Sequence, residues 1–230
     1  MAIYSSRLRL ALPQGRDLDV ICDHLRTCGF DLPELDSPGL YPVEDPSGSG
    51  VGFDIFKLAQ SDVGTYVEHG ISQLGVMSTD LLNESGARVW RPFTFSYGTY
   101  PIVLAAPRGI NFDSLSTKPT IRLATSLPHL TRDIFAARGM AIEVVPVEDS
   151  TTACLLGLAD GYVDRLVDPD AIVREGFRVI EVLGKARLKL LINHTSYAAR
   201  REAIDAFIEC LRSHQPEPPE PIHIPFDLDE

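Results

Sequence analysis

The 230-residue chain is 44% hydrophobic and 23% charged, enough apolar material for one large globular domain or two small ones. Its net charge of −11 opposes any phosphate backbone. No apolar run approaches the roughly 18 residues of a membrane helix, and nothing after Arg7 and Arg9 resembles a secretory h-region, so a cytoplasmic protein with no nucleic-acid or membrane partner is expected. The four cysteines, Cys22, Cys28, Cys154 and Cys210, form no CxxC and have no His-x₃₋₅-His beside them. Reduced thiols are the expectation, with no structural zinc, no disulfide framework and no metal ligands.

In chain order, residues 7–12 alternate as a first strand and end at Pro13-Gln14-Gly15-Arg16. Asp17 opens a helix with Leu18, Ile21, Cys22, Leu25 and Cys28 at helical spacing, and Gly29 is its C-cap. Residues 31–50, rich in proline and glycine, read as a loop with a short strand at 40–43. A strand follows at 51–58, a helix from Asp62 stopped by Gly70, a buried strand at 74–77, and a helix at 80–84 capped through Ser78-Thr79-Asp80. Strands are expected at 89–95 and 100–106, with residues 98–107 as a crossing between halves. Beyond the crossing the α/β pattern restarts: strand 120–124, loop 125–131, helix 131–138, strand 142–147, helix 150–156. Strands at 177–183 and 188–193 return to the first half. A helix at 196–213 and an acidic, proline-rich tail complete the chain.

Strands alternating with helices imply mostly parallel sheets covered on both faces. Two such halves with a return crossing imply two lobes with a ligand cleft between them: residues 1–100 with 178–213, residues 101–177, and the tail 214–230. Two places then stand out. The strand–turn–helix at Gln14-Gly15-Arg16 aims backbone N–H groups at one loop, where Arg16 either holds an anion or is a solvated charge. Residues 157–176, GLADGYVDRLVDPDAIVREG, place Asp160 and Asp164 around a strand and then Asp168-Pro169-Asp170-Ala171, a strong helix-start signal. His69 and His129 read as surface or capping residues, Trp90 as strand-end packing, and Tyr97 and Tyr100 as core or hinge residues with base stacking as the alternative.

The segments LRLALPQGR (8–16), DVGTYVEHG (62–70), LGVMSTD (74–80), ATSLPHLTRDIFAARG (124–139), GLADGYVD (157–164) and LLIN (190–193) resemble the ATP phosphoribosyltransferases of histidine biosynthesis in their short form. The resemblance runs from about Arg7 to Arg200. It implies a fold like type II periplasmic binding proteins. It implies transfer of ribose 5-phosphate from phosphoribosyl pyrophosphate (PRPP) to ATP, with Mg²⁺ on the pyrophosphate. It also implies a nucleotide ligand, a homodimer or larger oligomer, and a regulatory subunit resembling histidyl-tRNA synthetase. Carried onto this chain, it makes Asp160 and Asp164 the candidate catalytic carboxylates at the ribose. Gln14, Gly15, Arg16, Ser78, Thr79, Thr125, Thr131 and Thr151 become the candidate substrate-binding residues.

The chain also departs from the family pattern. The family's phosphate cradle, Thr-Gly-x-Thr, falls on Asp168-Pro169-Asp170-Ala171, which has lost both hydroxyls and one N–H and gained two carboxylates. Gln14 stands for a lysine, Ser78-Thr79 for a glycine-lysine pair, Leu58-Ala59-Gln60 for a segment that carries arginine, and Thr151 for a glutamate. The loop thus reads as closed by its own cap. Two functions remain: a phosphoribosyltransferase of the family, with ordinary activity through altered contacts or diverged towards another nucleotide or nucleoside, or a non-catalytic nucleotide-binding or regulatory relative that has lost PRPP chemistry.

Overall fold

The computed structural model describes residues 7–44, 46 and 52–224. Val51 of the expected second strand, residues 47–50 of its preceding loop and residues 225–230 of the tail lie outside the described residues. The chain forms two compact units, residues 1–98 with 187–219 and residues 99–186 with 220–230.

Unit 1 opens with β1 (Leu8–Pro13), α1 (Asp17–Thr27), β2 (Tyr41–Val43), β3 (Phe53–Leu58), α2 (Val63–Glu68), β4 (Leu74–Ser78) and α3 (Thr79–Ser85). β5 (Trp90–Pro107) leaves unit 1 at Gly98 and continues into unit 2. There α4 (Phe112–Ser116), β6 (Ile121–Thr125), α5 (Pro128–Ala137), β7 (Ile142–Pro146), α6 (Ser150–Leu155), β8 (Gly161–Arg165) and α7 (Pro169–Arg174) follow. β9 (Phe177–Ile192) returns, and α8 (His194–Ala199) and α9 (Arg201–Ser213) close unit 1.

In unit 1, β1 lies parallel between β3 and β4, with β2 antiparallel on β3 and the end of β9 antiparallel on β4. In unit 2, β6 lies parallel between β7 and β8, and β5 runs antiparallel to β8. The architecture is the mixed α/β, mostly parallel arrangement expected. The apolar runs of β1 and β4 are buried nearly throughout, as strands covered on both faces must be. The unit 1 core joins Leu8, Leu10, Ile21, Phe53 and Ile192 to Ile204 and Phe207 of α9. Phe30 meets Phe53 edge-on with centroids 5.4 Å apart. Unit 2 packs Leu104, Leu123, Phe135 and Val163 on one side and Val103, Cys154, Tyr162 and Phe177 on the other.

Several boundaries differ from expectation. The strands read at 89–95 and 100–106 are one strand, because Gly98 at φ +64° lets the chain bend without breaking it. A Cβ there would stand 3.0 Å from the Cβ of Leu188. Likewise 177–183 and 188–193 are one strand, so residues 178–186 lie in unit 2 and the return begins at Arg187. The helix read at 196–213 is two. Asn193 caps α8 by accepting from the Ser196 N–H, and Arg200, at φ −138°, separates it from α9. The described tail is irregular, as expected, but it is not a separate region. Ile222 and Ile224 pack on the unit 2 core beside Val147 and Val182.

Candidate functional site

In unit 2 the carboxyl ends of the parallel strands β6 and β8 and the starts of α6 and α7 converge. Open α/β sheets bind ligands outside such strand ends. Asp164, next to last in β8, is the focus. Its Oδ1 accepts from the Ser126 hydroxyl at 2.6 Å and its Oδ2 from the Ser150 hydroxyl. Burial pushes this carboxyl up; the Ser126 and Ser150 hydroxyls and the Ser126 amide only partly offset that. A cavity of about 310 Å³ opens here. Its lining includes Asp164, Thr151, Tyr162 and Asp168. Five of its thirteen lining residues are acids and one, Arg165, is a cation.

Asp168 caps α7, as its sequence indicates. Its Oδ1 accepts from the backbone N–H groups of Asp170 at 3.0 Å and Ala171 at 3.2 Å. Its Oδ2 pairs with Arg174 at 3.2 Å. The Ala171 amide is the main reason its carboxyl sits below the ordinary range. Pro169 follows at the first helical position, where no N–H is needed. The carboxylate therefore occupies the donors that a bound phosphate would use.

Asp160 is not brought together with Asp164. It precedes β8 while Asp164 lies near the far end, and four residues of extended chain span about 13 Å. Asp160 does not line the cavity. It pairs with Lys118 at 2.8 Å and Arg122 at 3.2 Å, and it accepts from the Arg122 N–H at 2.9 Å. Burial opposes its charge, yet these partners outweigh burial and hold its pKa at about 2. A depressed carboxylate stabilises the fold above its unfolded pKa of about 3.9 and loses that contribution as pH falls towards 2. Asp160→Asn is expected to destabilise unit 2 by about 1–2 kcal/mol at pH 7, discounted because both cations are partly exposed. In thermal melts the gap to the unsubstituted protein closes as pH approaches 2.

Other expected site residues are also used structurally. Thr125 donates to the Val163 carbonyl at 2.6 Å and accepts from the Leu127 N–H at 2.9 Å; Thr131 donates to Thr125 at 3.2 Å. Both threonines are fully buried. Thr151 does line the cavity and bonds Tyr162. Sequence reading missed Ser126 and Ser150, which hold Asp164. Ser126 sat inside a quoted loop, but its partner lies 38 residues on.

The remaining candidates belong to unit 1. Gln14, Gly15 and Arg16 follow β1 and are exposed, with Gly15 at φ +105°. Gln60 Nε2 donates to the Gln14 carbonyl at 2.9 Å, fixing that turn. At the end of the neighbouring β4, the Ser78 hydroxyl donates to Asp80, and Thr79 Oγ1, at the start of α3, accepts from the Arg187 N–H at 3.0 Å. Tyr97 is buried core, not a stacking platform, and His69 bonds the Thr65 carbonyl as a helix-end residue. Trp90 packs on Tyr197, 4.4 Å between centroids.

Residues 59–213 match the family model HisG: ATP phosphoribosyltransferase. An ATP phosphoribosyltransferase of Symbiobacterium thermophilum is 34% identical over 213 residues, covering 90% of this chain and 94% of that protein. One from Citrifermentans bemidjiense is 29% identical, covering 90% and 98%. Among solved structures, the ATP phosphoribosyl transferase (HisG:HisZ) complex from Thermotoga maritima aligns with a TM-score of 0.74 at 24% identity, covering 90% of this chain and 98% of that one. The periplasmic aliphatic sulphonate binding protein SsuA from Escherichia coli aligns at 0.60 and 14% identity, covering 91% and 72%. Those two likenesses carry the periplasmic-binding-protein-like fold, and the sequence matches carry the kinship: the chain belongs to the ATP phosphoribosyltransferase family.

Proposed function

We propose that this chain is a diverged phosphoribosyltransferase of its family, whose loop at 168–171 no longer takes the 5-phosphate of PRPP in the ordinary way. One observation carries the reading: the Asp168 carboxylate accepts from the two N–H groups at the start of α7. Asp164, buried and lining the cavity, is the carboxyl best placed to meet a ribose hydroxyl. Neighbouring acids set the chemistry of the charge around it. Mg²⁺ prefers hard oxygen donors and keeps several waters. Glu148 and Glu175 in the lining carry oxygens of this kind and would be the residues to hold such an ion. When bound, it supplies neutralising charge for a departing pyrophosphate. The Thermotoga maritima relative was solved in a HisG:HisZ complex, which supports a regulatory subunit and an oligomer for this chain too.

The test is direct. Protein, ATP, PRPP and Mg²⁺ are mixed with and without a HisZ-like partner, and phosphoribosyl-ATP absorbance is followed. Little or no product is expected with PRPP, while nucleotides or nucleosides raise the melting temperature. Full activity would sink the proposal. A second reading, a non-catalytic nucleotide-binding relative, is favoured by the structural use of Asp160, Thr125 and Thr131. It predicts nucleotide binding with no transfer to any acceptor.

Asp164 separates a ligand-binding role from a purely structural one. A carboxyl raised on folding costs stability as pH rises from its unfolded value through its folded one. Asp164→Asn is expected to flatten that fall, gaining on the unsubstituted protein at neutral pH, while nucleoside-induced stabilisation is lost. Retained ligand stabilisation would remove Asp164 from the binding site.

A further inference from the structure

Cys28, Cys210 and His214 come together in unit 1, away from the residues discussed above. Cys28 follows the last turn of α1; Cys210 lies on α9, and His214 follows its end. The spacing of Cys210 and His214, four residues apart, puts both on one face of α9. Cys28 Sγ points to the Cys210 carbonyl at 3.5 Å, and Cys210 Sγ points to the Cys28 carbonyl at 3.7 Å. Cys210 Sγ lies 3.9 Å from His214 Nδ1. One ligand atom from each residue falls within 4.8 Å of the other two.

We propose that Cys28, Cys210 and His214 form a site for a thiophilic divalent cation of the zinc class, which ties α1 to α9. Two sulfurs and one imidazole suit a borderline-soft ion and do not suit Mg²⁺ or Ca²⁺. Zn–S bonds of about 2.3 Å and Zn–N bonds of about 2.0 Å place tetrahedral ligand atoms about 3.5–3.8 Å apart. The observed separations need only a small contraction. His214 is exposed and Cys210 partly so, giving the ion a way in; Cys28 is buried at the back. His214 Nδ1 now lies 2.9 Å from the Cys210 carbonyl, and a turn of this exposed side chain exchanges that oxygen for the ion. The fourth position is left to water. Binding converts the two thiols to thiolates, and their protons leave to solvent. The ion bridges residues 182 apart in the chain and, by binding only the folded form, stabilises unit 1 by mass action.

The experiment uses the full chain, reduced, stripped with chelator and then titrated with Co²⁺ in the presence of excess Mg²⁺. One equivalent is expected to produce a thiolate-to-cobalt charge-transfer band in the near ultraviolet and tetrahedral d–d bands in the visible, and Zn²⁺ should abolish both. Cys28→Ser and Cys210→Ser should lose the bands. His214→Ala changes an exposed residue and leaves the core intact; it should weaken binding by more than about tenfold. Zn²⁺ should also raise the denaturant midpoint read from Trp90, which lies in unit 1 and is the chain's single tryptophan. Absence of cobalt bands at stoichiometric metal would overturn the proposal. So would bands that persist in Cys28→Ser and Cys210→Ser, or a Cys28–Cys210 disulfide whose reduced form binds no cobalt.

Discussion

Replacing Asp168 by Thr, Pro169 by Gly and Ala171 by Thr is expected to create PRPP binding in calorimetry, where none is expected of the unsubstituted chain. The effect should be large. The Asp168 carboxylate repels a phosphate brought to this helix start, and it holds the two amides that the phosphate would need. Freed amides and added hydroxyls, each able to donate to a charged phosphate, should raise PRPP affinity by more than about tenfold. The substitutions remove the carboxylate charge, restore an N–H at position 169, add two hydroxyls, and free the amides of Asp170 and Ala171 that Asp168 now occupies. Threonine at position 168 caps α7 less well than Asp168, and glycine at 169 is less fixed than proline, so the variant is expected to fold with a slightly lower melting temperature. Asp168→Ala alone frees the amides without supplying hydroxyls, and should fall between the two. Continued silence in the triple variant would place the defect in the other missing cations, at Gln14 and Ser78-Thr79. Tight PRPP binding by the unsubstituted chain would refute the account of the loop.

His24→Ala is expected to destabilise unit 1 by about 3–5 kcal/mol. His24 is buried on α1; its Nδ1 meets the Tyr97 hydroxyl at 3.0 Å and its Nε2 the Leu211 carbonyl at 3.0 Å. Its ring also meets Phe95 and Tyr97 edge-on. Alanine would leave a buried hydroxyl and a buried carbonyl without this partner and open a cavity besides. Unfolding followed through Trp90 reads unit 1, so the effect can be assigned even if the two units melt separately. There is a pH signature as well. Burial lowers the pKa of His24, and the Leu211 carbonyl only partly offsets it. A histidine depressed on folding contributes stability above its unfolded pKa of about 6.5, and that contribution is lost as pH falls below it. The unsubstituted protein should therefore lose unit 1 stability on acidification from pH 7 to 5, and His24→Ala should lose less. Equal slopes would show that His24 is not the titrating group.

Much of this was legible in the residues themselves. Turn glycines, N-caps and apolar runs act within a few residues of where they sit, so strand–helix alternation and the α7 cap could be read directly. The four-residue gap between Asp160 and Asp164 could also have warned that they sit at opposite ends of β8, since a strand separates what a helix brings together. α4 was missed although Asn111 and Ser114 form a reciprocal capping box. The overlong helix at 196–213 was read from its apolar period, which continues across the break at Arg200.

The sequence by itself determined the family, the alternating α/β class and the closure of the 168–171 loop, because each is written in short contiguous stretches. Only the tertiary structure decided what each polar group does. It consumed Thr125 and Thr131 in the interior and assigned Asp160 to Lys118 and Arg122. It gave Asp164 to Ser126 and Ser150, and set Cys28 beside Cys210 across 182 residues of chain. Hydrogen bonds and metal ligation depend on distances of a few ångströms between side chains, and the packing of distant elements sets those distances.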